Sequence, residues 1–268
     1  MKSQSRVKLK SAWLFGPAVL LGAFLPVYRM VAGDDALPSV VSNSRKSGPT
    51  VQATQGYINR TFLTTHTTAP FDSSGGDLII ACASSHAGVT MTPSDSFENT
   101  WISLAGPTNT TTGFDLRTQL WYAKRPMVGA GHTFTLNLSA PQSLVVSVFV
   151  VKGSNVSDPI DAISIIGDDG GSQTLAITSP DITTTNRNDL LLGFAKSAIS
   201  ETWASGSGYT EQGAASSNFL EGEAGWAETP GTYNSTFDID SPGAWQAVTV
   251  AVRPPINGST SKTETLKE

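Results

Sequence analysis

Hydrophobic and polar residues alternate in short runs along this chain, and the alternation predicts β-strands after residue 28. In the run HTFTLNLS at 132–139, Phe134, Leu136 and Leu138 alternate with polar side chains. This is typical of an antiparallel strand with one face on a core and one in water. No stretch after residue 28 sustains helical spacing. We predict strands at 78–84, 100–105, 116–124, 132–139, 143–151, 173–178, 189–196, 219–226, 232–238 and 245–252.

The chain also repeats itself. Three pairs of segments correspond, namely 75–84 with 187–197, 122–126 with 226–230, and 131–153 with 231–254. Each half offers roughly four strands, too few for two stacked sheets, whereas both halves together offer enough. Half-repeats at about 77–153 and 189–254 therefore predict an all-β fold, a single antiparallel β-sandwich of jelly-roll-like topology. Two separate immunoglobulin-like domains are the alternative.

The order of short motifs along the chain carries a resemblance. GGDLII, SDSFENTWISL, LWYAKRP, VVSVFVVKG, DPIDA, NDLLLGFA, SGSGYT and a closing AWQAVTVAVRP follow one another between residues 75 and 254. In this order they resemble an uncharacterised β-sandwich module found in secreted and surface proteins of bacteria, over roughly 51–254. The resemblance implies the fold and brings no activity or ligand with it.

The first 33 residues are predicted to be a signal peptide. Basic residues precede an apolar run at 12–28, which is short for a membrane-spanning helix of about 20 apolar residues. The small residues Val31 and Gly33 favour cleavage of the signal peptide after Gly33. Arg29, close to that site, instead favours an uncleaved N-terminal membrane anchor. Either way we expect a secreted, periplasmic or cell-surface protein. The remaining chain divides into a linker at 34–49, the sandwich at 50–255 and a disordered polar tail at 256–268.

Charge narrows the choice of partners. Removing residues 1–33 takes away five basic residues and no acidic ones, which leaves 12 Lys and Arg against 22 Asp and Glu, a formal charge of −10. So acidic a chain lacks the basic surface that nucleic acid or anionic lipid requires. We expect no nucleic acid partner and no membrane contact beyond the N-terminal segment.

Cys82 is the single cysteine, so no intramolecular disulfide can form and the core alone must hold the fold. Its place in the apolar run DLIIACAS predicts a buried, unreactive thiol. The chain also lacks G-x-S-x-G, H-E-x-x-H, C-x-x-C and phosphate-binding loop motifs. These absences favour a protein without catalytic machinery of those types.

The tryptophans divide into core and candidate binding residues. Trp226 and Trp245 align with large apolar residues of the first half and are predicted to be core, and Trp101 is predicted to plug an end of the sandwich. Trp203 lies in the Gly- and Ser-rich stretch ISETWASGSGYT and has no counterpart in the first half. We predict a ligand site at Trp203 and Tyr209, where an exposed indole would stack on a sugar ring. The alternative role for Trp203 is a lid over the core.

Carboxylates suggest two further kinds of site. Glu221 and Glu223 share one face of a predicted strand, as do Asp238 and Asp240. Either pair could bind a hard cation such as calcium, or act as acid and base of a glycosidase. The simpler interpretation is an acidic, water-facing sheet surface. We expect no other cofactor.

The sequence favours a non-catalytic extracellular binding or adhesion module that recognises a glycan or a cell-surface polymer. One alternative is a carboxylate-dependent glycan-active enzyme, which requires Glu221, Glu223 or Asp238 to line a concave face with aromatic side chains. The other is a purely structural surface or matrix component.

Overall fold

The computed structural model describes residues 48–86, 88–109, 116–168, 175–199, 201–212 and 219–256, and these residues form β-strands and no helix. In chain order the strands are β1 (Thr50–Thr67), β2 (Leu78–His86), β3 (Met91–Asp95), β4 (Ile102–Asn109), β5 (Leu116–Lys124), β6 (Phe134–Lys152), β7 (Ile160–Asp168), β8 (Ala176–Thr178), β9 (Ile182–Thr184), β10 (Asp189–Ser197), β11 (Ala204–Ser205), β12 (Tyr209–Glu211), β13 (Leu220–Ala227), β14 (Gly231–Tyr233), β15 (Thr236–Asp238) and β16 (Trp245–Val252). Within these ranges there is accordingly no helix that could span a membrane.

Two antiparallel sheets form the centre of the molecule. The first has the strand order β1-β6-β2-β5-β4, and the second has the order β7-β16-β10-β13-β12. Their facing sides share one apolar cluster, in which the rings of Phe149 and Phe194 meet edge to face at 4.9 Å. Each fully buried Leu, Ile or Phe contributes about 1.5–3 kcal/mol to such a core. The prediction of an all-β antiparallel sandwich is confirmed.

The central strands β2, β10 and β16 are buried on both faces. Their sequences show why, because LIIACASS, DLLLGFAK and AVTVAV are nearly continuous runs of small and apolar residues rather than alternating ones. A strand of this kind needs a cover on its outer face as well as a partner sheet on its inner face. Additional strands supply that cover on both sides of the sandwich.

In the first half, the long strands β1 and β6 supply the outer cover. The C-terminal part of β6 pairs with β2, whereas its beginning, Phe134–Leu138, pairs with β3 and with the end of β1. Phe134 and Leu136 thereby pack over Ile79 and Ala81 of β2. The alternation of HTFTLNLS fits this position, because its other face is turned toward solvent.

In the second half, small separate sheets supply the outer cover. One has the order β11-β15-β8 and the other pairs β14 with β9. Ile177 and Phe237 of the three-stranded sheet pack on Ala195 and Ala247, while Ile182 packs on Leu191. Each central sheet therefore has apolar contacts on both of its faces, with the other central sheet on the inner side and the covering strands on the outer side.

Several details agree with the sequence predictions and others correct them. The strands predicted at 116–124 and 245–252 have those bounds in the structure. The stretch predicted as one strand at 232–238 is two strands, and β1 was not predicted at all. The predicted signal segment, most of the linker and the tail from residue 257 lie outside the described residues.

Among the predicted core residues, Trp245 and Cys82 are buried and Trp101 packs edge to face on Phe134 at 4.8 Å. Trp226 corrects the prediction, because 44% of its surface is exposed. The residue stands near the end of β13, where the chain at Gly48 covers only part of the ring.

Candidate functional site

The core between the two sheets changes from apolar to polar at one end. Along β2 the inward positions run from apolar residues to Ser84, and along β10 they run from Leu190, Leu192 and Phe194 to Lys196. Lys196 is directly opposite Gln246 on the neighbouring strand. Buried polar groups of this kind need partners or a ligand, because an unmade hydrogen bond inside a protein is costly.

One hydrogen bond in this polar layer joins the two sheets. The Thr118 hydroxyl of β5 donates to the Gln246 Oε1 of β16, and both side chains are buried. Thr118 is also the cross-strand neighbour of Ser84. The polar layer is therefore built from central strands that the sandwich holds rigidly, which is where a precise binding site is best placed.

A cavity of about 180 Å³ opens at this polar end. That is smaller than a site for a drug-sized molecule, which measures roughly 300–1,000 Å³, so it suits a small molecule or one unit of a polymer. The lining residues are Ile58, Asn59, Arg60, Ser84, Ser85, His86, Leu116, Ser143, Leu144, Val145, Lys196, Ala198 and Phe219.

Lys196 is the most perturbed group on the cavity wall. Burial lowers the pKa of its amine to about 7, and the negative charge of Glu201 limits that shift. Its Nζ donates to the carbonyl oxygen of Ser197 and lies 5.1 Å from the centre of the Phe219 ring. Buried ionisable groups in clefts occur preferentially at functional sites.

A second cation, the Arg60 guanidinium, lies over the Phe219 ring. The guanidinium carbon of Arg60 lies 5.0 Å from the ring centre, within the range of a cation–π interaction. Arg60 comes from β1 in the first sheet, whereas Lys196 comes from β10 in the second. The two sheets thus bring two basic side chains to one aromatic ring at the cavity.

Ser84 is a buried polar residue on the cavity wall whose hydroxyl lacks a partner within the described ranges. Its side chain is buried, with 2% of the residue exposed, and among the described residues its Oγ has no hydrogen-bond partner. The neighbouring Ser85 differs, because its hydroxyl donates to the carbonyl oxygen of Ser143 at 2.7 Å. A buried hydroxyl without a partner is destabilising unless something binds to it.

The predicted ligand residues Trp203 and Tyr209 are half-buried and do not line this cavity. Trp203 packs against the cluster around Phe237, with ring centres 6.4 Å apart, which is the position of a lid over the core. Tyr209 packs against a different cluster, and its hydroxyl donates to the carbonyl oxygen of Asn234 at 2.9 Å. The structure therefore does not bring the two side chains into one site, and their binding role stays a prediction.

Glu221 and Glu223 correct the interpretation as a water-facing acidic surface. They share one face of β13, but only 1% and 0% of these residues are exposed. The strand β11 and the turn after it cover them, where the Gly206 N–H donates to Glu223 Oε2 at 3.1 Å and the Ser205 hydroxyl to Glu221 Oε1 at 3.4 Å. Burial raises the pKa of Glu223 to about 8.

Glycine makes room for the Glu223 side chain. Gly193 stands opposite Glu223 on β10, and a Cβ at Gly193 would come within 2.7 Å of the Glu223 Cγ. This carboxyl is thus built into the packing between β13 and its cover. Its position gives it no access to the cavity.

The second predicted pair is exposed, with Asp238 at the end of β15 and Asp240 two residues after it. Asp240 accepts a hydrogen bond from the Thr202 N–H at 3.1 Å, and hydrogen bonds to Thr202 lower its pKa. In the part of the chain that the structure describes, no three His, Cys, Asp or Glu side chains are grouped to hold a metal ion. Calcium binding at either pair stays a prediction.

One further cluster, at the start of β6, has the residue types of a hydrolase triad. The Ser73 hydroxyl lies 2.8 Å from His132 Nδ1, and His132 Nε2 lies 3.7 Å from Asp95 Oδ1. However, Ser73 and His132 are fully buried, and the Ser73 hydroxyl also accepts from the Gly129 N–H at 3.0 Å. The Ser73 hydroxyl also donates to the carbonyl oxygen of Gly129 at 3.2 Å, so its hydrogen bonds are made within the protein and we interpret this cluster as structural.

Comparisons of the chain with protein-family models, curated proteins and solved structures found no match. The motif-based resemblance therefore stays a prediction, and function has to be argued from geometry.

The cavity itself was not predicted from the sequence, although one signal was present. Leu190, Leu192 and Phe194 alternate as inward residues of one strand, and Lys196 occupies the next inward position of the same series. A lysine in phase with a buried face is unusual enough to indicate either a buried ion pair or a binding site.

Proposed function

We propose that this protein is a non-catalytic extracellular binding module, with its ligand site in the cavity at the polar end of the sandwich. The observation that carries the proposal is the buried Ser84 hydroxyl, which has no partner among the described residues and lies on the wall of that cavity. The wall also combines an aromatic ring, hydroxyl groups and cations, the mixture that small-molecule sites use.

An extracellular location is part of this proposal. It is supported by the basic and apolar N-terminal segment and by the acidic charge of the chain that follows. A glycan or a cell-surface polymer is the expected partner, because a cavity of about 180 Å³ accommodates one unit of such a polymer.

We also infer that the two central sheets are half-repeats of one ancestral unit. The corresponding sequence segments support this, and so does the strand order, since β2, β5 and β6 take the same relative places in the first sheet as β10, β13 and β16 take in the second. Each half leaves an apolar inner face that only the other half covers.

A glycan array probed with the protein tests the proposed function. We expect wild type to bind at least one glycan, and Ala198→Phe, which fills the cavity, to abolish that binding. Ala130→Phe is the matched control, because Ala130 is exposed in the turn before β6 and does not line the cavity.

Three results would contradict the proposal. Binding that survives Ala198→Phe would place the site elsewhere. Cleavage of the arrayed glycan would favour the glycan-active enzyme, and a complete lack of binding would favour the structural component.

A further inference from the structure

The cavity is basic although the chain is acidic. Its wall carries Arg60, His86 and Lys196, and none of the described lining residues is an acid. The chain after residue 33 has a formal charge of −10. A basic cavity in so acidic a protein favours a ligand that carries negative charge.

The basic groups are also available for a ligand. An ammonium group has three N–H donors, and the described contacts of Lys196 use one of them, on Ser197. Among the described residues neither Lys196 nor Arg60 forms an ion pair. A ligand anion would therefore not have to displace a directly paired carboxylate, and the nearest acid that acts on Lys196 is Glu201, which does not line the cavity.

The number of buried donors indicates the kind of anion. On the described wall, Lys196 and Ser84 are the buried side chains with a donor not engaged by a protein acceptor. Lys196 has two N–H donors left and Ser84 one hydroxyl, so these two donor groups match the two oxygens of a carboxylate, whereas a phosphate has more oxygens and more charge to satisfy. Arg60 is exposed and stands beside the same ring.

The remaining wall is apolar. Leu116, Leu144 and Val145 line the cavity together with Phe219. These apolar side chains would contact the carbon skeleton of a ligand. The ligand therefore needs a compact carbon body as well as an anionic group.

We propose that the cavity binds the carboxylate of an acidic sugar or of a small organic acid, with Lys196 and Ser84 as the buried donors and the apolar wall against the carbon body. This inference rests on the proposed function, since it names the ligand of the same cavity. It assigns Lys196 the role of an anion-binding residue.

The test is a ligand-observed NMR titration of the protein with D-glucuronate and D-glucose, which differ at the carboxylate. It should be run below the pKa of Lys196, so that the amine is charged. We expect glucuronate to bind at least about tenfold more tightly, as one charge-assisted hydrogen bond provides. Cyclohexanecarboxylate in a parallel titration distinguishes a small organic acid from a sugar acid.

Lys196→Met should remove this preference, so that glucuronate binds no more tightly than glucose, because methionine is an unbranched side chain of nearly the same length without the charge. Lys152→Met is the matched control, since Lys152 is exposed at the other end of β6 and does not line the cavity. We expect Lys152→Met to bind glucuronate as wild type does. A thermal melt of each variant confirms that it is folded.

The outcomes distinguish a failure of the carboxylate inference from a failure of the proposed binding function. Equal binding of glucose and glucuronate, or stronger binding of inorganic phosphate, would overturn the carboxylate inference while the binding function stands. Equal loss of both sugars in folded Lys196→Met would overturn the role of Lys196. If neither sugar nor cyclohexanecarboxylate binds and the array is also blank, both proposals fail.

Discussion

Replacing Glu223 with Gln should stabilise the protein increasingly as the pH rises from acid to neutral. Burial raises the pKa of Glu223 in the folded protein to about 8 from an ordinary value of 4.5. Between these two values the unfolded chain releases the proton and the folded chain keeps it. Wild type therefore loses stability as pH rises through this window and changes no further above it, whereas glutamine cannot ionise.

The size of the effect follows from the same shift. Each pH unit between the two pKa values changes the free energy of unfolding by about 1.4 kcal/mol. Over the interval from about pH 5 to pH 7, the stability of Glu223→Gln relative to wild type should rise by about 2–3 kcal/mol. Any constant offset from the amide group cancels in this comparison, since it is the same at both pH values.

Urea denaturation at both pH values measures the change. Glu228→Gln is the control, because Glu228 is exposed and surface changes usually alter stability by less than about 0.5 kcal/mol. A Glu223→Gln stability difference that is the same at both pH values would refute the reasoning. It would mean that Glu223 is ionised in the folded protein and that its cover lets in water.

Two further predictions concern the packing. Trp203→Ala should lower the free energy of unfolding by about 2 kcal/mol in urea denaturation, because the half-buried indole packs against the cluster around Phe237. Binding at the cavity should be unchanged; a loss of binding with unchanged stability would instead restore Trp203 as a ligand residue. Cys82 should react with a thiol reagent only as fast as the protein unfolds, because it is buried and burial raises the pKa of its thiol; rapid labelling of the native protein at neutral pH would contradict this.

The sequence predicted the central strands well because their signal is local. Runs such as the one at β2 combine β-branched and apolar residues. Turn residues on either side of such a run mark approximately where the strand begins and ends. The outer cover was harder to foresee. Periodicity shows that Glu221 and Glu223 share a face of β13, but it does not show that a distant segment, β11, packs over that face.

Asp77 and Asp189 show how aligned sequence segments can mislead about a side chain. Asp77 directly precedes β2 and Asp189 is the first residue of β10. Asp77 accepts hydrogen bonds from the Gly153 and Ser154 N–H groups at 2.7 and 3.1 Å. In the second half the corresponding chain continues after Arg253 with two prolines, which have no N–H to donate.

The consequence is a different environment for the second carboxyl. Burial, together with the neighbouring Asp161, raises the pKa of Asp189 to about 8. The aligned residues are the same, but the partners that decide their chemistry come from elsewhere in the chain. For the same reason the cavity could not be predicted, since Arg60, Ser84, Lys196 and Phe219 come from four separate segments.

A crystal structure of the protein grown with D-glucuronate tests the central claim most directly. The account predicts the sugar in the cavity at the polar end of the sandwich, with its carboxylate about 2.7–3.2 Å from Lys196 Nζ and Ser84 Oγ. A sugar bound on another surface, at Trp203 or elsewhere, with the cavity free of it, would contradict the account.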